Sequence, residues 1–157
     1  MNIKILGARV CALIASLGPV GYLPYPGTCG TLCAIPLLIG MRRYGYAFGL
    51  SEMILFLLLA IAAFFIIDYA LTVLVGHDPQ EIVLDEVVGL AVALYGLPFT
   101  PINLLLAFLL FRFFDGLKPL GIEALENFPG AFGVMGDDLA AGAMAHMVMV
   151  LILPLLR

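Results

Sequence analysis

The sequence predicts an all-α fold, a polytopic membrane bundle of short helices with a polar site at one membrane face. Three observations predict it. Apolar residues fill 64% of the 157 positions and charged residues only 11%, against roughly 25% charged in soluble domains. The mean hydropathy is +1.16, and apolar runs recur between Gly- and Pro-rich breaks. The few carboxylates are paired, in VLDE at 83 to 86 and VMGDD at 134 to 138. Adjacent acids in so apolar a chain repel one another and are costly to bury unless a cation neutralises them.

The length fits a single domain over 1 to 157. The apolar stretch after Lys4 and Arg9 runs into Pro and Gly rather than a small-residue cleavage site, so the N terminus is expected to be retained. Cys11, Cys29 and Cys33 have neither disulfide nor metal spacing and read as small apolar fillers. The net charge of -4 comes from clustered acids, and no nucleic-acid partner is expected.

In order along the chain, the pattern predicts an apolar helix over 3–17, a loop over 18–30 and a helix over 31–41 ended by Arg42 and Arg43. That last helix is too short to span comfortably. MILFLLLAIAAFFIIDYALTVLV at 53–75 carries one charge in 23 residues, enough at 1.5 Å per residue to cross a core of about 30 Å. Gly96, Pro98 and Pro101 in GLPFTP mark a turn between helices at 79–97 and 101–117, which then form a hairpin. A second span covers 139–156, begun by the paired aspartates. If the helices alternate in direction, 18–30, 76–86 and 112–138 fall on one side of the membrane.

Each polar cluster has a structural reading beside a chemical one. His77-Asp78-Pro79-Gln80-Glu81 resembles a helix start, with Asp78 as cap and Glu81 completing a capping box. Asp85 and Glu86 are expected beyond that first turn, where capping cannot employ them; Asp78, Glu81 and Asp85 would then stack near one helical face. Arg112, Asp115 and Lys118 repeat at three-residue spacing, either as an ion-pair ladder or as two cations for phosphate oxygens, with Asp115 orienting them or joining a metal site. Asp137 could cap the last helix and Asp138 favour its first turn. Gly130, Gly133 and Gly136 before them would let the backbone approach a ligand. Together Asp85, Glu86, Asp137 and Asp138 have the oxygen chemistry of a Mg2+ site.

GYLPYPGTCGT at 21–31 offers backbone N–H groups, Thr28 and Thr31 as a phosphate cradle, although an ordinary turn into a helix explains it equally well. Asp68 and His146 lie inside spans. An intramembrane ionisable group suggests function, but a neutral His146 bonded to a neighbouring helix is the commoner outcome.

PGTCGT at 26–31, EIVLDEVVG at 81–89, FRFFDGLKP at 111–119 and GVMGDDLAAG at 133–142 together resemble the phosphatidylglycerophosphatase A family, in order and over most of the chain. The resemblance implies a magnesium-dependent membrane phosphatase that converts phosphatidylglycerophosphate to phosphatidylglycerol and phosphate. It implies a bacterial inner membrane location with the site facing the cytoplasm. Cys29 stands where the family has an aromatic residue, Thr31 where it has serine, and Leu120 and Gly121 depart from its tryptophan and second proline.

On this reading Asp85, Glu86, Asp115 and Asp138 are the catalytic candidates. Asp85, Glu86, Asp137 and Asp138 are the metal candidates, and Thr28, Thr31, Arg112 and Lys118 bind substrate. Water could attack directly, or Asp115 or Asp85 could form an aspartyl-phosphate. The expected partners are the lipid substrate and the bilayer, with a homo-oligomer left open. A CDP-alcohol phosphotransferase is a weaker reading because Asp115-Gly116 is followed by Leu-Lys-Pro, not Ala-Arg. A small cation channel or transporter would need acids along a path through the bilayer, whereas these gather at one face.

Overall fold

The computed structural model describes residues 3–43, 49–74 and 79–156, and among these the regular structure is entirely helical. The helices are α1 (Ile3–Ala15), α2 (Pro26–Arg43), α3 (Leu50–Ala70), α4 (Leu84–Ala93), α5 (Pro101–Leu117) and α6 (Ala131–Ile152). Short 3-10 segments lie at Val20–Tyr22 and Leu153–Leu156, and a longer 3-10 strap, Pro119–Asn127, links α5 to α6. His77 and Asp78 lie outside the described residues, and so does the proposed cap at Asp78.

Among the described residues two helices, α3 and α6, are long and apolar enough to cross a membrane. Their 21 and 22 residues correspond to roughly 30 Å of helix. Ile54, Leu57, Leu58, Ile61 and Phe65 of α3 are exposed, so its apolar surface is directed outward rather than into a core. By contrast α4 is buried almost throughout. It packs chiefly on α6 and also on α2 and α3, while α5 packs on α6 and α1 on α3. The innermost large side chains are Leu38, Ile67, Leu90, Leu94, Phe111 and Met149.

The α4–α6 crossing depends on absent side chains. A Cβ at Gly142 would come 2.3 Å from the Gly89 carbonyl oxygen, and one at Gly89 would meet the Phe111 ring at 2.5 Å. Small residues at such a crossing let backbones approach closely, as in membrane helix pairs generally. This draws Asp138, one turn before Gly142, up to α4.

The turn expected at GLPFTP is present. Thr100 caps α5 by accepting the Asn103 N–H at 3.2 Å, Pro101 opens the helix, and Asn103 Nδ2 donates to the Pro98 carbonyl at 2.7 Å. Beside this turn Arg42 donates to the Leu97 carbonyl and lies 4.4 Å over the Phe99 ring.

Among the helix boundaries that differ from the sequence expectation, three starts bear on the site. α4 begins at Leu84 with Val83 as its cap residue, not at 79, so Asp85 and Glu86 occupy its first turn and Glu81 is not helical. α2 begins at Pro26, so PGTCGT is its first turn and a half rather than a loop. α6 begins at Ala131, with no cap from its Gly130 side, so Asp137 and Asp138 lie in its second turn and cannot start it. Asp68 of α3 supplies the missing acceptor, its Oδ1 3.5 Å from the Ala131 N–H. A Cβ at Gly130 would sit 2.7 Å from that oxygen, so the glycine admits the cap.

Candidate active site

The first turns of α2 and α4, the last turns of α5 and the second turn of α6 converge on one cleft of about 540 Å³. Its walls include Tyr25, Gly27 and Thr28 from the start of α2, Asp85 and Glu86 from α4, Arg112, Asp115 and Gly116 from α5, Lys118, and Val134, Asp137 and Asp138 from α6. α2 and α4 both begin beside this space, so their positive dipole ends lie next to it, which suits an anion.

On one wall Arg112 bridges two acids. Its Nη1 is 2.8 Å from Asp115 Oδ2 and 3.4 Å from Glu86 Oε1. Glu86 is seated against α2: a Cβ at Gly27 would lie 2.3 Å from Oε1, and one at Gly30 2.4 Å from Oε2. The Thr31 hydroxyl donates to the Gly27 carbonyl at 2.8 Å and lies 3.5 Å from Glu86 Oε2. Thr31 is fully buried and faces this carboxylate, whereas Thr28 lines the cleft. The two glycines of PGTCGT therefore make room for Glu86.

The same Asp115 that pairs with Arg112 also faces the acids of α6. Asp115, Asp137 and Asp138 each present an oxygen within 4.8 Å of the others, and Asp137 and Asp138 are buried. The charges of Asp85, Asp115, Glu86 and Asp137 all act on Asp138. Asp85 Oδ1 accepts the Glu86 N–H at 2.9 Å. Oxygen donors without sulfur or imidazole suit a hard divalent cation, and the mutual repulsion of these acids would be relieved by one.

Lys118 is already engaged. It caps α5 in the left-handed conformation, φ 46° and ψ 50°, and its ammonium bonds Asp137 Oδ2 at 2.6 Å and the Glu126 carboxylate. Partial burial disfavours the charge, but the bonds to Asp137 and Glu126 outweigh it and hold the ammonium above its ordinary pKa. Sequence spacing gives no sign of Glu126, which lies eight residues after Lys118 across the strap, at no helical interval. Gly133 and Gly136 do not face a ligand. A Cβ at Gly133 would lie 2.2 Å from the Phe128 carbonyl oxygen and one at Gly136 3.2 Å from Leu125 Cβ, so these glycines admit the strap.

His146, expected to bond a neighbouring helix, has Nδ1 3.3 Å from the Ala93 carbonyl of α4. Asp68 caps α6 as described. Neither lines the cleft.

Fold and cleft define a class: an all-helical protein with long apolar helices and a cleft at their ends where acids confront an arginine and a helix start. Within that class the chain belongs to the phosphatidylglycerophosphatase A family, whose family model matches residues 13–153. It is 33% identical over 122 residues to an Escherichia coli protein named phosphatidylglycerophosphatase A, covering 76% of this chain and 69% of that one. It is 46% identical over 77 residues to a Haemophilus influenzae protein of the same name, covering 46% and 45%. A Bacteroides thetaiotaomicron protein provisionally named a phosphatidylinositol-3-phosphatase is 42% identical over 76 residues, 46% of this chain and 48% of that one. The chain thus spans about half the length of these last two relatives. No solved structure matches it.

Proposed function

We propose that this protein is a magnesium-dependent lipid phosphatase that hydrolyses phosphatidylglycerophosphate to phosphatidylglycerol and inorganic phosphate. The observation that carries the proposal is the convergence, in one cleft, of Arg112 and the start of α2 with the carboxylates of Asp115, Asp137 and Asp138. Family membership supports the substrate.

In this reading the terminal phosphate enters the cleft beside Arg112 and the acid cluster. Arg112 and the first-turn N–H groups of α2 neutralise its oxygens, and Glu86 holds Arg112 in place through their ion pair. Asp115, Asp137 and Asp138 hold the cation, with Asp85 beside them. Bound there, magnesium would supply charge neutralisation at the phosphoryl group and a more acidic water. A cleft carboxylate takes the proton of the attacking water as the ester P–O bond breaks, and the departing glycerol oxygen is protonated. Lys118 contributes by fixing Asp137 rather than by meeting phosphate first. In the same reading α3 and α6 cross the bilayer, α4 and α5 form a hairpin between them, and the cleft faces the cytoplasm.

The test is release of inorganic phosphate by the purified full chain from phosphatidylglycerophosphate and, separately, from phosphatidylinositol 3-phosphate. Release from the first, abolished by excess chelator and restored by magnesium, is the expected result. Preference for the inositol lipid would overturn the substrate, and activity unchanged in chelator would overturn the metal.

A further inference from the structure

Tyr25, which lines the cleft, and Leu120, two residues beyond the cleft-lining Lys118, hold large side chains outward on unfavourable backbone. Tyr25, on the cleft wall before α2, has φ 58° and is 83% exposed; Leu120, in the strap two residues after Lys118, has φ 61° and is 92% exposed. Left-handed backbone is costly for residues with a Cβ, and for bulky side chains it is a true outlier. Neither side chain recovers that cost by burial in the protein. Such strain beside a site is a reason to look for what it serves.

The surfaces around both residues indicate what covers them. On α5 the exposed residues Ile102, Leu105, Leu109, Phe113 and Leu117 follow one another at three- and four-residue steps, a single outward apolar stripe. Leu120, exposed as well, follows the end of that helix in the chain. Tyr22 and Leu23, near Tyr25 in the chain, are exposed as well. Tyrosine, with an apolar ring and polar tip, is the residue type that settles where acyl chains meet headgroups.

We propose that Tyr25 and Leu120 form a collar that sits in the bilayer surface, at the boundary between headgroups and acyl chains, on either side of the cleft. The partner is phospholipid, and the consequence is that the cleft opens level with lipid headgroups. A lipid phosphate then reaches Arg112 without its chains leaving the membrane. This rests on the proposed reading of the chain as a membrane protein and adds to it the depth of the site.

The chain contains no tryptophan, so one introduced tryptophan is a unique fluorophore. Four variants of the full chain, Tyr25→Trp, Leu120→Trp, Leu117→Trp and the mid-helix reference Leu109→Trp, would be reconstituted into vesicles of phosphatidylcholine brominated either near the glycerol or deep in the chain. The collar predicts that reporters at 25, 117 and 120 are quenched more by the shallow bromine, and the one at 109 more by the deep bromine. Leu117→Trp, on the regular end of α5, keeps the test readable if a strained position does not fold with tryptophan. Quenching of the Leu109 reporter alone overturns the collar and leaves the membrane reading standing. Absence of quenching at all four positions overturns both.

Discussion

Asp138 has the most to lose among single residues. It is buried, shares the cleft with four other carboxylates, and lies in the second turn of α6, where it caps nothing. Replacing it by Asn keeps the shape and removes the charge, so Asp138→Asn is expected to lower turnover by on the order of a hundredfold or more with the helical circular dichroism unchanged. The same holds for Asp115→Asn. Wild-type turnover in either variant would remove that residue from the chemistry. Glu126→Gln should be milder, below about tenfold, because Lys118 keeps Asp137. At this scale the sequence made Asp85, Glu86, Arg112, Asp115, Asp137 and Asp138 legible, since a charge is too costly to keep in so apolar a chain without a use. It could not show that Lys118 is spent on two acids, because Glu126 reaches it across a strap whose backbone at Lys118 and Leu120 follows no regular period. Nor could it separate a glycine that admits phosphate from one that admits Glu86, as Gly27 and Gly30 do.

Among the elements, α4 is the most buried, and it begins later than the sequence expectation. Its segment VVGLAVALYG is apolar on every face, so periodicity gives no phase. Asp78, Pro79 and Glu81 together imitate a capping box, and the helix waits until Leu84. α5 was legible to its ends because Thr100-Pro101 and Lys118-Pro119 are unambiguous punctuation. The close α4–α6 crossing yields a matched pair of predictions. Gly142→Ala would drive a methyl to 2.3 Å from the Gly89 carbonyl oxygen, and the overpacking should destabilise the protein by roughly 1–3 kcal/mol. Gly40→Ala in α2 meets nothing within 4 Å and should stabilise it by about 0.5–1 kcal/mol. Thermal unfolding in detergent would read both, and equal shifts in the two variants would show that the crossing is not tight.

For the molecule as a whole, the apolar composition announced long apolar helices, and α3 and α6 have that length, with α3 turned outward and α6 packed against α4 and α5. What composition could not supply was the convergence of four helix ends on one cleft, a matter of packing between distant segments. If the α4–α5 pair is a hairpin in the membrane, its two ends share a side. In a background with Cys11, Cys29 and Cys33 replaced, Gln80→Cys and Gly116→Cys should both react with an impermeant thiol reagent from the cytoplasmic side alone; reaction from opposite sides would contradict the hairpin. The central claim, that the acidic wall of the cleft is a cation site, is tested most directly by binding of manganese as a magnesium substitute, followed by electron paramagnetic resonance of the full chain in detergent. The account predicts a saturable site that is lost in Asp138→Asn and in Asp115→Asn and retained in Asp68→Asn. Equal binding in all of these proteins, or no saturable binding in the wild type, would contradict it.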